Sequence, residues 1–570
     1  MRRFVPGLAR LLGMLVATFA LSACATIAEQ SSRPGLVDTI QILALNDFHG
    51  HLEPPTGSTI WFANGKRHED RLGGAARVGS ALGDLRRRQP YSITVAAGDL
   101  IGASPLASAH FLDEPTIMAL NRMGLELAAV GNHEFDRGTA ELRRMQEGGC
   151  EAYTSRQPCA LDQPFEGARF TFLAANVLDE RGESLFPGTA LRDFGSMRVG
   201  FIGMTLEGTD TLVAPAATAG YRFAPEVETA NTQVRLLQDS GADAIVLLIH
   251  QGGLVDPFFS EAGCPGLSGE IVPILEGLDP AIGLVVSGHT HAAYVCERPG
   301  RDGARRLLTS AGRYGNFVTD IRMTIERDAE TVVAISAVNR PILPNIPEQP
   351  DIAALVKRYV KAADPIATRM VGRIEGNFEG SGGLDSAVAN LVADAQLAAT
   401  RAQGDGGAQM AFINSGGIRT RFQPGADGSV TYGQIFALQP FGNILVVLKL
   451  RGDQIRQVLE QQFTDETPAQ IRQSLLIPST GLSVAFDRSR PPGQRIIRLE
   501  LDGEPLDPDV SYRVTVNNFL ASGGDGFSVF TDGRLVTEGG LDLDALESFI
   551  ARGVRWPNSG RIIDIGADVP

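Results

Sequence analysis

The chain has 570 residues, 43% of them hydrophobic and 21% charged, with a formal net charge of −15. That composition excludes a largely disordered chain, and the length is too great for one compact core. The acidic balance argues against duplex nucleic acid as the main partner, although it leaves room for a small phosphorylated ligand held by a local positive site. All eight His fall at or before His291, so nearly half of the chain has none.

At the N-terminus, Arg2, Arg3 and Arg10 flank an uncharged apolar run from Leu11 to Leu21, followed by small residues and Cys24. This pattern predicts an export signal, too short to span a bilayer as a helix. Leu21-Ser22-Ala23-Cys24 resembles a bacterial lipobox. That resemblance implies removal of residues 1–23, a lipid on Cys24, a tether over 24–39 and, with Ala25 next, an outer-membrane lipoprotein facing the periplasm or the cell surface. An ordinary cleavage site after Ala23 would leave a soluble periplasmic protein instead. Either cut removes three Arg and takes the net charge to −18.

From about 40 to 340, apolar runs alternate with amphipathic stretches. The runs are Ile40–Leu45, Ser92–Ala97, Leu125–Val130, Phe170–Asn176, Met197–Met204, Ala244–Ile249 and Ile282–Val286; helical spacing marks Ala75–Arg88 and Val227–Asp239. The alternation predicts an α/β domain. Pro341, Pro344, Pro347 and Pro350 then break the pattern before a predicted connector helix, Ile352–Ala363. The rest mixes helices (Asp385–Thr400, Gly452–Phe463) with strands (Met410–Ile413, Ile444–Leu450, Leu482–Phe486, Tyr512–Val516), which reads as a second domain. After export, four Cys remain, and three pairings are open; sequence proximity favours Cys150–Cys159 and Cys264–Cys296.

The chemistry lies just past the apolar runs. Ile40–Leu45 leads into Asn46-Asp47-Phe48-His49-Gly50-His51, and Ser92–Ala97 into Gly98-Asp99. Leu125–Val130 leads into Gly131-Asn132-His133-Glu134-Phe135-Asp136, Ala244–Ile249 into His250, and Ile282–Val286 into Ser287-Gly288-His289-Thr290-His291. Open α/β sheets bind ligands beyond the carboxyl ends of their strands. Asp47 and His49, like His289 and His291, would share a side if the chain there stays extended. Asp47, Asp99, Asn132, His49, His250, His289 and His291 suit two divalent cations, with zinc, manganese, iron and cobalt all acceptable to such ligands. A bridging carboxylate such as Asp99 would hold them roughly 3.5–4 Å apart, close enough to activate a water and clamp a phosphoryl oxygen. One such motif alone is usually a turn or a satisfied polar side chain; five in this order are not.

These motifs resemble the calcineurin-like metallophosphoesterase signature, and the forms Asn-Asp-Phe-His and Gly-Asn-His-Glu-Phe-Asp resemble the bacterial 5′-nucleotidase family. The resemblance implies a four-layer α/β/β/α metallophosphoesterase sandwich over 40–340, a helical linker over 341–367 and an α+β nucleotide-binding domain over 368–570. It implies that Asp47, His49, Asp99 and His291 serve one metal, and Asp99, Asn132, His250 and His289 the other. His133 would be the catalytic imidazole, oriented by Asp136. In the second domain, Asn414-Ser415-Gly416-Gly417-Ile418-Arg419, Gln439-Pro440-Phe441-Gly442-Asn443 and Asn518 to Phe527 match the family's pocket. There Arg419 would grip phosphate, Phe441 and Phe519 sandwich a base, Asp525 hold the ribose, and Asn414 and Asn443 bond base or sugar. One departure stands out: residues 374–389 contain no Arg or Lys where the family carries Arg. The expected function is phosphate release from nucleotides by in-line attack of water activated between the metals. The alternatives are 2′,3′-cyclic phosphodiesterase/3′-nucleotidase or nucleotide-sugar hydrolysis and, more remotely, sulfur-ester hydrolysis or a non-catalytic surface role. Oligomeric state is not encoded in any motif.

Overall fold

The computed structural model describes residues 37–63, 65–255, 264–300, 303, 305–326, 331–376, 378, 386–463 and 475–566; the export signal, Cys24 and residues 379–385 lie outside these. Two six-stranded sheets form the amino-terminal half. In the first, four parallel strands run in the order Val37–Leu45, Ser92–Ala97, Leu127–Ala129 and Thr171–Leu173, and Phe317–Glu326 and Thr331–Pro341 extend it antiparallel. In the second, Met197–Thr205, Ala244–His250, Ile282–Ser287 and Arg305–Ala311 are parallel, edged by Thr189–Phe194 and Ala293–Pro299 in antiparallel.

Side-chain alternation explains how the sheets stack. Ile40, Ile42 and Ala44 point into a core shared with Ile93, Val95, Val246, Leu248 and Leu284 of both sheets. Leu43, Leu45 and Ala96 point the other way, onto the helices Ala75–Arg86 and Glu114–Met123. On the far sheet Ile245, Leu247 and Ile249 face the helices Glu226–Asp239 and Ile271–Gly277. Strands buried on both faces must be apolar throughout, which is why they read as continuous runs. The result is a four-layer α/β/β/α sandwich. Among the described residues no helix is long and apolar enough to cross a membrane.

The connector is more than a spacer. Its helix, Pro350–Ala367, lays Ile352, Leu355, Tyr359 and Ala363 into the core beneath the first sheet, while Ile366 and Ala367 touch the core of the second half. That second core is organised by a five-stranded sheet in the order Leu476–Pro478, Met410–Asn414, Ser511–Asn517, Ile444–Arg451, Arg534–Leu541. The helix Ala387–Thr400 is buried on nearly all sides within it. Leu106 and Ala109 of the first half also pack into this core, so the halves are in contact. Cys150 and Cys159 form a disulfide. The other expected pair is corrected: Cys264 and Cys296 remain thiols. Burial and a hydrogen bond with Cys264 raise the Cys296 thiol far above its usual range, which keeps it protonated.

Candidate functional site

The carboxyl ends of both sheets meet at one cleft. Asp47 N–H bonds the Gly98 carbonyl (3.0 Å), and His49 N–H bonds the Asp99 carbonyl (2.9 Å), lashing the first two motifs together. The His289 N–H donates to the Asp47 carboxylate at 3.0 Å and joins the second sheet to the first. Gly98 has φ +82°, and a Cβ there would stand 2.6 Å from His250 Nδ1, so only glycine lets the sheets approach this closely. The expectation of extended backbone at the Asp-x-His and His-x-His pairs is corrected. Asp47, His49, Asp99, His289 and His291 all adopt left-handed backbone, with φ of 49°, 46°, 51°, 72° and 62°. The pairs share a side because both members turn out of the strand, not because the strand continues. Such backbone costs on the order of 1 kcal/mol or more per residue and persists where surrounding bonds over-determine it.

Three overlapping groups result: Asp47/His49/His291, Asp99/His250/His289 and, between them, His49/Asp99/His133. The Nε2 atoms of His49 and His291 face each other at 3.2 Å, and Asp47 Oδ1 lies 3.4 Å from His291 Nε2. His250 Nε2 lies 3.2 Å from Asn132 Oδ1, which is also 3.2 Å from His289 Nδ1. Asp99 Oδ2 joins the clusters, 3.5 Å from His49 Nε2 and 3.0 Å from His250 Nε2.

The donor set fits two cations. His49 Nδ1 donates to the Gly102 carbonyl (3.0 Å) and His250 Nδ1 to the Ala97 carbonyl (2.8 Å). In the neutral tautomer each Nε2 therefore aims a lone pair at carboxylate and amide oxygens that carry lone pairs too, an arrangement satisfied by metal ions. Burial, then the Arg419 charge, holds the imidazole pKa of both His49 and His291 well below its usual value, and burial and His250 lower His289 to about 3; at His250 burial is outweighed by the Asp99 carboxylate, which raises that imidazole to about 9 while no cation replaces its proton. Neutral imidazole is the metal-binding form.

Beside the clusters, His133 Nδ1 sits 3.0 Å from both oxygens of Asp136, whose Oδ2 also accepts from the Ala103 N–H (3.1 Å). Burial pushes the His133 pKa down, but the charges of Asp136 and Asp99 outweigh it and the net shift is upward. Four residues here went unassigned in the sequence. Glu134 is buried and accepts from the backbone N–H groups of Gly131, Asp99, Leu100 and Ile101, bolting the Asp99 turn in place. His51 stacks on Tyr314 with ring centroids 3.9 Å apart, and Tyr314 N–H bonds the Asp47 carbonyl at 2.7 Å. Arg313 stands 5.0 Å from the Tyr314 ring centroid. For Glu134 the signal was its place inside the Gly-Asn-His-Glu motif; for Arg313 and Tyr314 there was none, because their partners lie far along the chain.

The opposite wall comes from the second half. Arg419 reaches across to 5.7 Å from the Tyr314 ring, and Phe441 lies parallel to His133 at 5.9 Å. Nε and Nη2 of Arg419 are buried without a hydrogen-bond partner. Asn414 Nδ2 donates to Asp525 Oδ2 (2.7 Å), and burial raises the Asp525 carboxyl to about 6 against the opposing effect of that bond. The Phe441 and Phe519 loops are tied by the Ile444 N–H bonding Asn518 Oδ1 (2.9 Å), and both rings are half-buried. Asn443 differs from expectation in one respect: its side chain is engaged with Asp542 at 3.3 Å. Arg421 is exposed.

Comparison with known proteins agrees with this division. The model of the calcineurin-like phosphoesterase family matches residues 40–293, and that of the 5′-nucleotidase C-terminal domain matches residues 367–532. Among curated relatives, the chain is 27% identical to the endonuclease YhcR of Bacillus subtilis over 85% of this chain and 37% of that protein. It is 30% identical to the cell wall protein Lmo0130 of Listeria monocytogenes over 90% of this chain and 66% of that protein. The chain thus spans less than two thirds of the length of these two relatives. Among solved structures, a 5′-nucleotidase precursor from Thermus thermophilus is similar with a TM-score of 0.74 and 26% identity, covering 93% of this chain and 100% of that one.

Proposed function

We propose, for a chain that joins a calcineurin-like phosphoesterase domain to a 5′-nucleotidase C-terminal domain, that it hydrolyses phosphate monoesters of nucleotides with two divalent metals. The observation that carries this reading is the single oxygen, Asp99 Oδ2, shared between two buried His/Asp clusters, with the His133–Asp136 pair beside it. Bound divalent metals supply Lewis-acid activation of water and neutralise phosphoryl oxygens. Asp47, His49 and His291 would hold one ion, Asn132, His250 and His289 the other, and Asp99 both. With Nδ1 of His133 engaged by Asp136, the proton at Nε2 is the one left to donate to a phosphoryl or leaving oxygen. The raised pKa keeps that proton in place at higher pH. Arg419 orients the phosphoryl group, Phe441 and Phe519 clasp the base, and Asp525 with Asn414 takes the ribose hydroxyls. The name and fold of the Thermus protein support the nucleotide reading.

A second reading, cleavage of 2′,3′-cyclic phosphodiesters, is favoured by the absence of Arg and Lys from residues 374–389 and by the diester-cleaving activity in the name of the Bacillus relative. The apolar run Leu11–Leu21 and the lipobox-like Leu21-Ser22-Ala23-Cys24 support, for either reading, an enzyme exported by residues 1–23 and held by a lipid on Cys24. Phosphate release by the metal-loaded protein, screened over 5′-, 3′- and 2′,3′-cyclic nucleotides, a nucleotide sugar and an aryl phosphate, tests them. Turnover of 5′-monophosphates is expected to be fastest; turnover of the aryl phosphate alone would overturn the nucleotide reading. Labelling with radioactive palmitate, lost in Cys24→Ala, tests the anchor.

A further inference from the structure

Two guanidiniums, one from each half, lie near the Tyr314 ring, on which His51 is stacked. Arg313 lies 5.0 Å and Arg419 5.7 Å from its centroid. The ring itself stands 5.6 Å from His291 and 6.0 Å from His49, so both cations border the cluster at Asp47. Among the described residues neither has a carboxylate within ion-pair distance, and two of the Arg419 nitrogens are buried without any partner. Like charges gathered without a counter-ion repel, and a buried unpaired guanidinium loses the hydration it would have in water. Arg419 comes from a loop of the second half, where its N–H bonds the Leu438 carbonyl at 3.0 Å, and Arg313 precedes Tyr314, whose N–H bonds the Asp47 carbonyl.

We propose that Arg313 and Arg419 together form a dianion clamp that receives the phosphoryl group, with Arg313 as a substrate-binding residue contributed by the metal-bearing half. The inference rests on the phosphoester reading above and names its preferred ligand. Two guanidiniums without internal counter-charge match a group carrying two negative charges, and a forked donor matches paired phosphoryl oxygens. A phosphomonoester is a dianion above its second pKa of about 6, whereas a phosphodiester carries only one charge. The clamp therefore selects terminal monoesters and inorganic phosphate over cyclic diesters, and it spans the two halves so that an occupied phosphate site draws them together.

The test is calorimetric titration of the full-length metal-loaded protein at pH 7.5 with inorganic phosphate and, separately, with adenosine, which has no phosphate. Arg313→Ala is expected to weaken phosphate binding at least tenfold while adenosine binding stays within twofold. Arg313→Lys, which keeps charge but not the fork, is expected to fall between the two. In turnover, Arg313→Ala should raise KM for a 5′-monophosphate more than for a 2′,3′-cyclic nucleotide. Phosphate affinity within twofold of the parent would overturn the proposal. So would equal losses for phosphate and adenosine, or loss of bound metal in Arg313→Lys, since either would make Arg313 a structural support. If the parent releases phosphate from nucleotides and Arg313→Ala binds phosphate normally, only this inference falls. If the parent releases none from any nucleotide, the reading beneath it falls, and the phosphate titration still decides the clamp.

Discussion

On the amino-terminal wall of the cleft, five candidate ligands sit in left-handed backbone; on the carboxy-terminal wall, of the residues assigned to the pocket, Asp525 alone does, with φ 56°. The walls also satisfy their polar groups differently. Asp47, Asp99 and Asn132 aim side-chain oxygens at imidazole nitrogens, and braces such as Glu134 and the His289 N–H hold them there. Asn414 and Asp525 bond each other, as do Asn443 and Asp542. A wall that holds ions needs its donors fixed before the ions arrive, because misplacing one leaves a like-charge contact. A wall that holds a base and sugar can keep its polar groups paired and exchange one bond for another when the ligand enters.

The contrast breaks most visibly at Asp99. If its Oδ2 serves both clusters, Asp99→Ala should reduce bound metal from two ions to fewer than one by elemental analysis. Turnover should fall about 10³-fold or more, the loss of several kcal/mol of transition-state stabilisation. Retention of two ions would show that the clusters do not depend on the shared oxygen. His133→Ala should leave metal content intact and lower kcat by about 10²–10⁴-fold, the usual weight of a positioned acid or base. Loss of metal in that variant would place His133 among the ligands and enlarge the rigid wall by one member.

The same contrast governs what could be read from the chain. Strands Ser92–Ala97 and Leu482–Phe486 were legible residue for residue, since burial on both faces or strict alternation writes itself into local composition. The metal residues were legible because each follows such a strand and carries a chemistry-bearing side chain. The edge strands Thr189–Phe194 and Ala293–Pro299 escaped, because half-exposed strands carrying Arg, Asp and Glu have no clean apolar period. The left-handed turns at Asp47 and His49 escaped as well, since neither residue is glycine and the bonds that impose the turn come from Gly98 and Asp99, some fifty positions away. Arg313 and Tyr314 were silent for the same reason: what makes them part of the site is contact with Asp47, His51 and Arg419, across more than a hundred residues of chain in each direction.

On the softer wall the expected effects are smaller and ligand-selective. Phe441→Ala should raise KM for a nucleotide by roughly 1–3 kcal/mol in binding, the weight of one base–aromatic stack, and spare a small aryl phosphate. Equal loss on both substrates would mean that Phe441 acts through its contact with His133 rather than on a base, which would shift it to the rigid wall.

The smallest effect belongs to Asp525 and depends on pH. Burial raises its folded pKa from 3.8 to about 6. Between those values the folded chain holds a proton that the unfolded chain has released, so this group's contribution to stability falls as pH rises from about 4 to about 6 and is level above that. Ligand binding has the opposite sign, because accepting two ribose hydroxyls requires the carboxylate. Adenosine affinity should therefore drop about tenfold as pH is lowered from 7 to 5, following one proton at a pKa near 6. Asp525→Asn removes both trends: its adenosine affinity should be weak and flat across this range, and its melting temperature relative to the parent should be higher above pH 6 than at pH 4. Adenosine carries no phosphate and makes no demand on the metals, so a pH slope that survives in Asp525→Asn would have to come from another group in the pocket. Asp542, raised to about 7 by burial and bonded to Asn443, would be the next candidate, and the exchangeable pair that opens for the sugar would then be Asn443 with Asp542 rather than Asn414 with Asp525.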